Sequence, residues 1–97
     1  MTVRILKRAQ ADLLEIRAWI EAEDPLTAER TLERILKGIE MLGAHPELGP
    51  LARDSHLAAK GIRHLSRESF VTFYQRVGRS VRVLRVLRGR RDWRHLL

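Results

Sequence analysis

The chain has 97 residues, a length that favours a single domain with a modest hydrophobic core. Its apolar fraction of 44% is normal for a globular protein, and no apolar run approaches the roughly 20 residues that a membrane-spanning helix needs. It contains no cysteine, which excludes disulfides and thiolate metal sites and is compatible with a reducing cytoplasm. We therefore expect one domain over residues 1–97, located in the cytoplasm and without a membrane partner.

The net charge of +7 is distributed unevenly along the chain. Residues 1–75 contain 11 basic and 11 acidic residues, so the whole surplus lies in the last 22 residues, where eight arginines face a single acid, Asp92. Arginine makes planar, bidentate contacts with carboxylates and phosphates and stays charged when it is partly desolvated. This distribution indicates an acidic partner protein, a nucleic-acid machine, or both in turn.

A short strand over residues 2–6 and then a helix over residues 8–23 are predicted first. Apolar residues spaced by four, three and four positions form one face of this helix, while Asp12 and Glu15 fall on another face. That apolar face consists of Ala9, Leu13, Ile16 and Ile20. Trp19 lies roughly 60–100° away from this stripe. It either completes a helix–helix contact, which is the favoured interpretation, or forms an exposed aromatic anchor.

Asp24 and Pro25 predict the start of a second helix, because Asp can cap a helix and Pro suits its first position. The apolar face of this helix consists of Ala28, Leu32, Ile35, Ile39 and Leu42. Gly43 is expected to end the helix in a left-handed conformation, and Pro46 prevents its continuation. Since the link between the two helices is very short, we expect an antiparallel helical hairpin.

The second half of the chain follows a pattern typical of strands. Residues 51–60 are expected to be irregular, a period of two begins at Gly61, and residues 70–75 form a strong strand candidate. Gly78 marks a turn before a last strand over residues 80–88, whose apolar residues on both faces indicate a central strand. Gly89 ends it, and residues 90–97 are expected to form a short helix or tail.

The predicted fold is therefore α+β, in the order β-α-α-β-β-β. The helical hairpin packs on one face of a small antiparallel sheet, because no other element can cover its apolar stripe. The opposite face of the sheet is expected to remain available for function.

No motif for metal, cofactor or nucleophilic chemistry is present, and we expect none of these groups. The four histidines, which lack the spacing of a metal site, are His45, His56, His64 and His95. RNA cleavage needs no metal, only a base, an acid and arginines. Tyr74 is favoured as a packing residue, and His95 is an acid or base by type alone. Trp93, among arginines, either stacks on a base, inserts into a partner pocket or caps the core.

Several segments, in order along the chain, share features with one known group of proteins. The most specific are residues 73–77 and 83–93, and the others are residues 11–16, 42–49 and 61–65 together with Ala28 and Leu32. Taken together, these segments resemble the ParE/RelE superfamily of bacterial type II toxins. The resemblance implies a helical hairpin on a small antiparallel sheet. Arg88 is a departure, since ParE-like chains typically have histidine there.

The resemblance also implies partners. Toxins of this superfamily are neutralised by a cognate antitoxin, and for ParE-like members this is commonly a ParD-like protein with a ribbon-helix-helix DNA-binding end. DNA would then be contacted only indirectly, through the antitoxin. The charge of +7 fits an acidic segment that folds when it binds.

Residue types separate the two branches of the superfamily. RelE-like ribonucleases resemble one another in carrying a basic residue in the third strand and basic residues with a tyrosine near the C-terminus. Here Val71 and Leu97 stand at two of these positions, and only Arg91 is matched. The resemblance therefore favours the ParE-like branch, associated with inhibition of DNA gyrase. The alternatives are an mRNA interferase using Arg91, Arg63 and His95, or a non-toxic homologue that binds antitoxin.

The residues expected to form the target- or antitoxin-binding surface are Arg63, Arg85, Arg88, Arg90, Arg91 and Trp93. Arg85 has a second interpretation, because it shares a strand face with Val81, Val83 and Leu87. On that interpretation it pairs with another group inside the fold.

Overall fold

The computed structural model describes residues 1–89, in which one sheet of four strands carries two long helices on one face. Its elements in chain order are β1 (Thr2–Ile5), α1 (Lys7–Glu21), α2 (Pro25–Met41), α3 (Ser55–Ala59), β2 (Ile62–Arg67), β3 (Phe70–Val77) and β4 (Ser80–Arg88). The predicted α+β class and the order of the long elements are confirmed. The short helix α3 was not predicted, and the expected helix or tail over residues 90–97 lies outside the described residues.

The strand order across the sheet is β1-β4-β3-β2. The pairs β2–β3 and β3–β4 are antiparallel, whereas β1 lies parallel to β4, with Val3 opposite Val81. β4 is thus central, as its two-sided apolar pattern predicted. The turn glycine Gly78 and the terminating Gly89 both have positive φ values, 62° and 67°, which side chains other than glycine rarely adopt.

The two long helices begin in different ways. The residue before α1, Leu6, makes no side-chain cap, whereas the Asp24 carboxylate before α2 accepts hydrogen bonds from the backbone N–H groups of Leu26 and Thr27. The Thr27 hydroxyl donates a third hydrogen bond to Asp24, at 2.7 Å. The predicted restart at Asp24 and Pro25 is therefore confirmed, and it turns the chain into the helical hairpin.

The predicted left-handed conformation of Gly43 is wrong. Gly43 is not among the residues with positive φ. Glycine is needed there because a Cβ atom would stand 2.9 Å from the backbone oxygen of Met1, and the amino group of Met1 donates to the Gly43 carbonyl at 2.8 Å. The end of the helical hairpin is therefore held against the start of β1.

The main core lies between the hairpin and the sheet. Ile35 and Ile39 of α2 are each 2% exposed, and fully burying a side chain of this size contributes about 1.5–3 kcal/mol. The sheet side of this core includes Leu65, Phe70, Tyr74, Val81, Val83 and Val86. Burial of the shared apolar stripes therefore explains why the hairpin packs on this face.

The expectation that the opposite sheet face stays available is wrong for most of that face. A second apolar cluster lies there, in which Leu57 of α3 and the preceding Ala52 pack with sheet residues. The sheet residues of this cluster are Ile62, Val71, Phe73 and Leu87, with Leu84 packed against it. The stretch expected to be irregular therefore forms a lid on the sheet.

Asp12, which the spacing places on a face of α1 other than the apolar one, has a buried side chain. The Arg85 guanidinium donates to both carboxylate oxygens of Asp12, from Nε at 2.7 Å and from Nη2 at 2.9 Å. The Val86 N–H donates to the same carboxylate at 3.0 Å. Asp12 therefore joins α1 to β4 through an ion pair with the Arg85 side chain and a hydrogen bond from the Val86 backbone.

The Asp12–Arg85 ion pair lies next to an irregularity in the pairing of β4. Phe73 pairs with Arg85 and Tyr74 pairs with Val83, so Leu84 is the extra residue of a β-bulge. β1 ends at Ile5, opposite Val83, and among residues 1–89 no strand pairs with β4 beyond that point on this side. Beyond this point, the Asp12 carboxylate accepts the hydrogen bond of the Val86 N–H in place of a strand partner. Its hydrogen bond also raises the pKa of Arg85, against the opposing effect of burial.

The Asp24 cap predicts a pH dependence of stability. The hydrogen bond from Thr27 lowers the pKa of Asp24 below its ordinary 3.8, so the stabilisation is complete above that value and is lost as the pH falls through the lower folded-state pKa. Asp24→Asn keeps a capping oxygen but does not titrate. We expect the wild-type Tm to fall more steeply than that of Asp24→Asn below about pH 4, in thermal unfolding followed by circular dichroism. Parallel curves would contradict the assignment.

The buried ion pair predicts a large effect of Asp12→Ala. Removing one partner of a buried pair leaves the other charge without its counterion and costs about 3–5 kcal/mol in the free energy of unfolding, measured in urea. Glu15→Ala is the matched control, an exposed acid of the same helix, with an expected change within about 0.5 kcal/mol. The double substitution Asp12→Leu with Arg85→Met should cost less than Asp12→Ala alone. Equal stabilities of Asp12→Ala and Glu15→Ala would refute this account.

Candidate functional site

A groove lies between α1 and the C-terminal half of β4. Its cavity volume is about 430 Å³. The residues at its walls are Asp12, Glu15, Ile16, Trp19, Phe70, Arg85, Val86, Leu87 and Arg88. Ile16, Phe70, Val86 and Leu87 belong to the two apolar clusters and are buried, so little of their surface is open to the groove.

Trp19 and Arg88 meet at this groove. The Cζ atom of the Arg88 guanidinium lies 3.8 Å from the centroid of the Trp19 ring, which is a cation–π contact. Both side chains are exposed, the Trp19 residue by 50%. Trp19 therefore packs against β4 rather than completing the contact between the helices, which was the favoured prediction.

The two arginines of β4 in the predicted surface have different environments. Arg85 is 8% exposed and pairs with Asp12, the second of the two interpretations considered for it. Arg88 is exposed, and among residues 1–89 no carboxylate lies within ion-pairing distance of it. Arg88 therefore leaves its charge exposed beside the groove, whereas Arg85 is part of the groove wall and pairs with Asp12.

Arg63 lies apart from this groove, on β2 at the other edge of the sheet. Its Nη1 donates to the carbonyl oxygen of Gly49 at 2.9 Å. The Tyr74 hydroxyl accepts a hydrogen bond from the Gly49 N–H at 2.8 Å. Arg63 and Tyr74 thus fix both polar groups of one glycine, which connects the Gly49 segment to the sheet.

Gly49 is required at this place because a Cβ atom would collide with the backbone carbonyl of His64. Tyr74 is fully buried, and its burial raises the pKa of the phenol while the Gly49 hydrogen bond and Arg63 act in the opposite direction. The phenol is therefore neutral at pH 7 and enclosed by protein. This confirms the prediction that Tyr74 is a packing residue.

The remaining predicted site residues, Arg90, Arg91 and Trp93, lie outside the described residues, as does His95. Within the part of the chain that the structure describes, no group of three or more His, Cys, Asp or Glu side chains could hold a metal ion. Partial burial lowers the pKa of His64, whose ring centroid lies 6.4 Å from that of Phe73. In the same residues, neither long helix combines the length and apolarity needed to cross a bilayer.

Sequence reasoning left Trp19 out of the predicted surface. The signal that could have found it is the spacing of Asp12, Glu15 and Trp19, which places a carboxylate, a second carboxylate and an indole along one side of α1. The spacing within α1 does not reveal which strand packs beside these residues. Only the tertiary contact with β4 brings Arg88 over the ring.

The Gly49 contact predicts the effect of Tyr74→Phe. The substitution keeps the buried ring but removes the oxygen that binds the Gly49 N–H, and an unsatisfied buried donor costs about 1–3 kcal/mol. The free energy of unfolding in urea measures this loss. Thr72→Val, also in β3, is the control, because the Thr72 hydroxyl makes no hydrogen bond within residues 1–89. A Tyr74→Phe protein as stable as wild type would contradict the assigned contact.

Comparison with known proteins agrees with this architecture. One solved structure, titled "Chromosomal ParDE TA system from P. aeruginosa", matches with a TM-score of 0.75 and 22% sequence identity, over 93% of this chain and 97% of that chain. At this identity the match shows a common fold. No curated protein sequence matches significantly. The sequence model of the ParE toxin of type II toxin–antitoxin system, parDE, matches residues 3–93. Because this match spans most of its length, the chain belongs to the ParE toxin family of type II toxin–antitoxin systems.

Proposed function

We propose that this ParE family toxin arrests growth by binding and inhibiting DNA gyrase, and that a ParD-like antitoxin neutralises it. The observation that carries the proposal is the match of the ParE toxin model over residues 3–93. Membership in this family makes the chain the toxin of a type II system. The target and the identity of the antitoxin are the proposed part.

The environment of Val71 supports a toxin that acts by binding rather than by cutting RNA. This residue stands where RelE-like ribonucleases carry a basic side chain, and it is 7% exposed within the second apolar cluster. A buried valine cannot contact a phosphate. Tyr74, the only tyrosine, is fully buried and bound to Gly49, so it cannot reach a substrate.

The charges support a protein partner of acidic character. The chain carries a net charge of +7. Arg88 is exposed beside a groove, and Arg82 is exposed on the same strand. A ParD-like antitoxin with an acidic segment would complement these arginines, and its DNA-binding end would be the only part of the pair to contact DNA.

Two assays together test the proposed target. Purified protein is titrated into a DNA supercoiling reaction with gyrase, and the same chain is expressed from an inducible promoter. We expect growth arrest with DNA damage signalling in cells and loss of supercoiling in vitro. Co-expression of the protein encoded by the adjacent open reading frame is the control and should restore growth.

The alternatives give different results in the same cells. Mapping of transcript 5′ ends after induction should reveal no new ribosome-dependent cuts. Such cuts with normal supercoiling would replace the proposal by an mRNA interferase. Unimpaired growth with verified soluble protein would replace it by a non-toxic homologue that binds antitoxin.

A further inference from the structure

We propose that the sheet face opposite the helical hairpin carries a contact surface for the phosphate backbone of duplex DNA, used by the toxin when it is free of antitoxin. The surface consists of Arg4 and Arg82 with Gln75, Thr2 and Ser80 beside them, and we call it the arginine strip. The choice of DNA over RNA rests on the proposed function, in which the target acts on DNA.

The two layers of the fold differ in charge. α1 and α2 each contain three basic and three acidic residues, so the two long helices carry no net charge. The four strands contain seven arginines, one in β1, two in β2, one in β3 and three in β4, and they contain no Asp or Glu. Within residues 1–89, the sheet is therefore the basic layer of the protein.

Arg4 and Arg82 both lie on the sheet face opposite the hairpin. Each is flanked along its strand by two residues that pack in the core under the hairpin, and side chains alternate between the two faces of a sheet. These flanking residues are Val3, Ile5, Val81 and Val83. Both arginines are exposed, and the apolar cluster under α3 includes neither of them. They therefore occupy the part of this face that the lid leaves open.

The pairing of β1 with β4 sets Arg4 directly opposite Arg82, on strands that are about 4.8 Å apart. Like charges that face each other across neighbouring strands destabilise a sheet. Within residues 1–89, neither guanidinium forms an ion pair with a carboxylate. Folding therefore gains nothing from this pair of arginines, whereas an anion bound between them would remove the repulsion.

The side chains around the two arginines are hydrogen-bond donors. Gln75 lies opposite Arg82 on β3, and Thr2 lies opposite Ser80 in the next row of the sheet. The Gln75 amide donates to the Lys60 carbonyl at 2.7 Å, which brings a further basic residue to the end of the row. Arginine, lysine, hydroxyl and amide side chains are those that commonly contact the DNA backbone. No carboxylate of the four strands is present to repel a phosphate.

A phosphate backbone fits the arginine strip better than an acidic protein does. Protein interfaces depend on aromatic and apolar anchors at their centre. The arginine strip is polar, with Val77 and the half-buried Leu84 as its apolar neighbours and no aromatic anchor. Flat donor surfaces of this kind position a protein on phosphates without reading the sequence of bases.

The placement of the aromatic rings favours a duplex over a single strand. Phe70, Phe73 and Tyr74 are buried, and Trp19 lies beside the groove on the hairpin side of the sheet. Proteins that bind single strands stack the unpaired bases on exposed aromatic rings. Since residues 1–89 expose no phenyl, phenol or indole ring at the arginine strip, this surface suits a nucleic acid whose bases are already stacked on one another.

The antitoxin of the proposed function would compete with DNA for Arg82. An acidic segment and a phosphate cannot occupy the same guanidinium edge together. Contact between the toxin and DNA is therefore limited to the free toxin, and in the neutralised pair the antitoxin alone contacts DNA.

Binding of the purified chain to a labelled DNA duplex of about 20 base pairs and arbitrary sequence tests the proposal, by fluorescence anisotropy at increasing salt. We expect a Kd of about 1–100 µM near physiological salt, independent of sequence and weaker as salt rises, because binding releases the cations held by the phosphates. The double substitution Arg4→Gln with Arg82→Gln should weaken binding at least tenfold. It should also reduce the slope of log K against log salt by about 2, one for each lost phosphate contact.

Arg30→Gln with Lys37→Gln is the matched control, since it removes the same charge from two exposed residues of α2. Its affinity for the duplex should stay within about twofold of wild type, because these residues lie on the hairpin. Circular dichroism checks folding. The Tm of the Arg4→Gln and Arg82→Gln variant should be no lower than that of wild type, because the substitution removes a repulsion.

Several results would overturn the proposal. One is absence of duplex binding by the wild-type chain at about 50 mM salt. Another is equal weakening by both double substitutions, which would reduce the effect to net charge. A preference of at least tenfold for a single strand or an RNA duplex of the same sequence would replace duplex DNA as the ligand. Tighter binding of polyglutamate through the same two arginines would assign the surface to an acidic protein.

The DNA contact and the proposed target can fail separately. If the duplex binds through Arg4 and Arg82 but the supercoiling activity of gyrase is unaffected by the toxin, the DNA contact stands and the proposed target fails. If gyrase is inhibited by a wild-type chain that binds no duplex, the target stands and the DNA contact fails.

Discussion

The Asp12–Arg85 pair is the contact on which the geometry of the groove depends. One buried carboxylate accepts hydrogen bonds from a guanidinium and from the Val86 N–H, so it fixes α1 against β4 at the point where β1 no longer pairs. Trp19 lies two helical turns further along α1, and Arg88 lies three residues further along β4. Their approach to 3.8 Å follows from this single attachment.

The same pair explains why arginines in one strand can have opposite roles. Arg85 is the first residue of the regular part of β4 that follows the bulge, and its charge is neutralised inside the protein. Arg88 emerges at the surface, where Trp19 orients it without neutralising it. The number of arginines in the sequence therefore overstates the positive charge at the surface, because the buried Arg85 is paired with Asp12 inside the fold.

A second attachment holds the chain segment that covers the other face of the sheet. Arg63 and Tyr74 form hydrogen bonds with Gly49. The chain after Gly49 leads to Ala52 and α3, which cover the sheet face opposite the helical hairpin. This face was expected to be open because the helical hairpin covers only the other one, and residues 51–60 were expected to be irregular. A five-residue helix is too short to produce a recognisable periodic pattern. The burial of its apolar residue Leu57 becomes evident only when the helix is seen packed on the sheet.

The sequence by itself determined the elements whose signals are local: the helix start at Asp24, the strand at residues 80–88 and the turn at Gly78. Capping, alternation and turn chemistry act over a few residues, and for that reason they could be identified without a partner. The family resemblance likewise depended on ordered local segments and correctly implied the fold.

Tertiary structure alone decided what depends on contacts between distant residues. The parallel pairing of β1, the close approach at Gly43 and the burial of Asp12 join positions that are 42 to 78 residues apart. On α1 considered alone, Asp12 and Trp19 look like a solvated acid and an off-stripe aromatic residue. Only β4, folded beside them, makes the first a buried counterion and the second part of the wall of a groove.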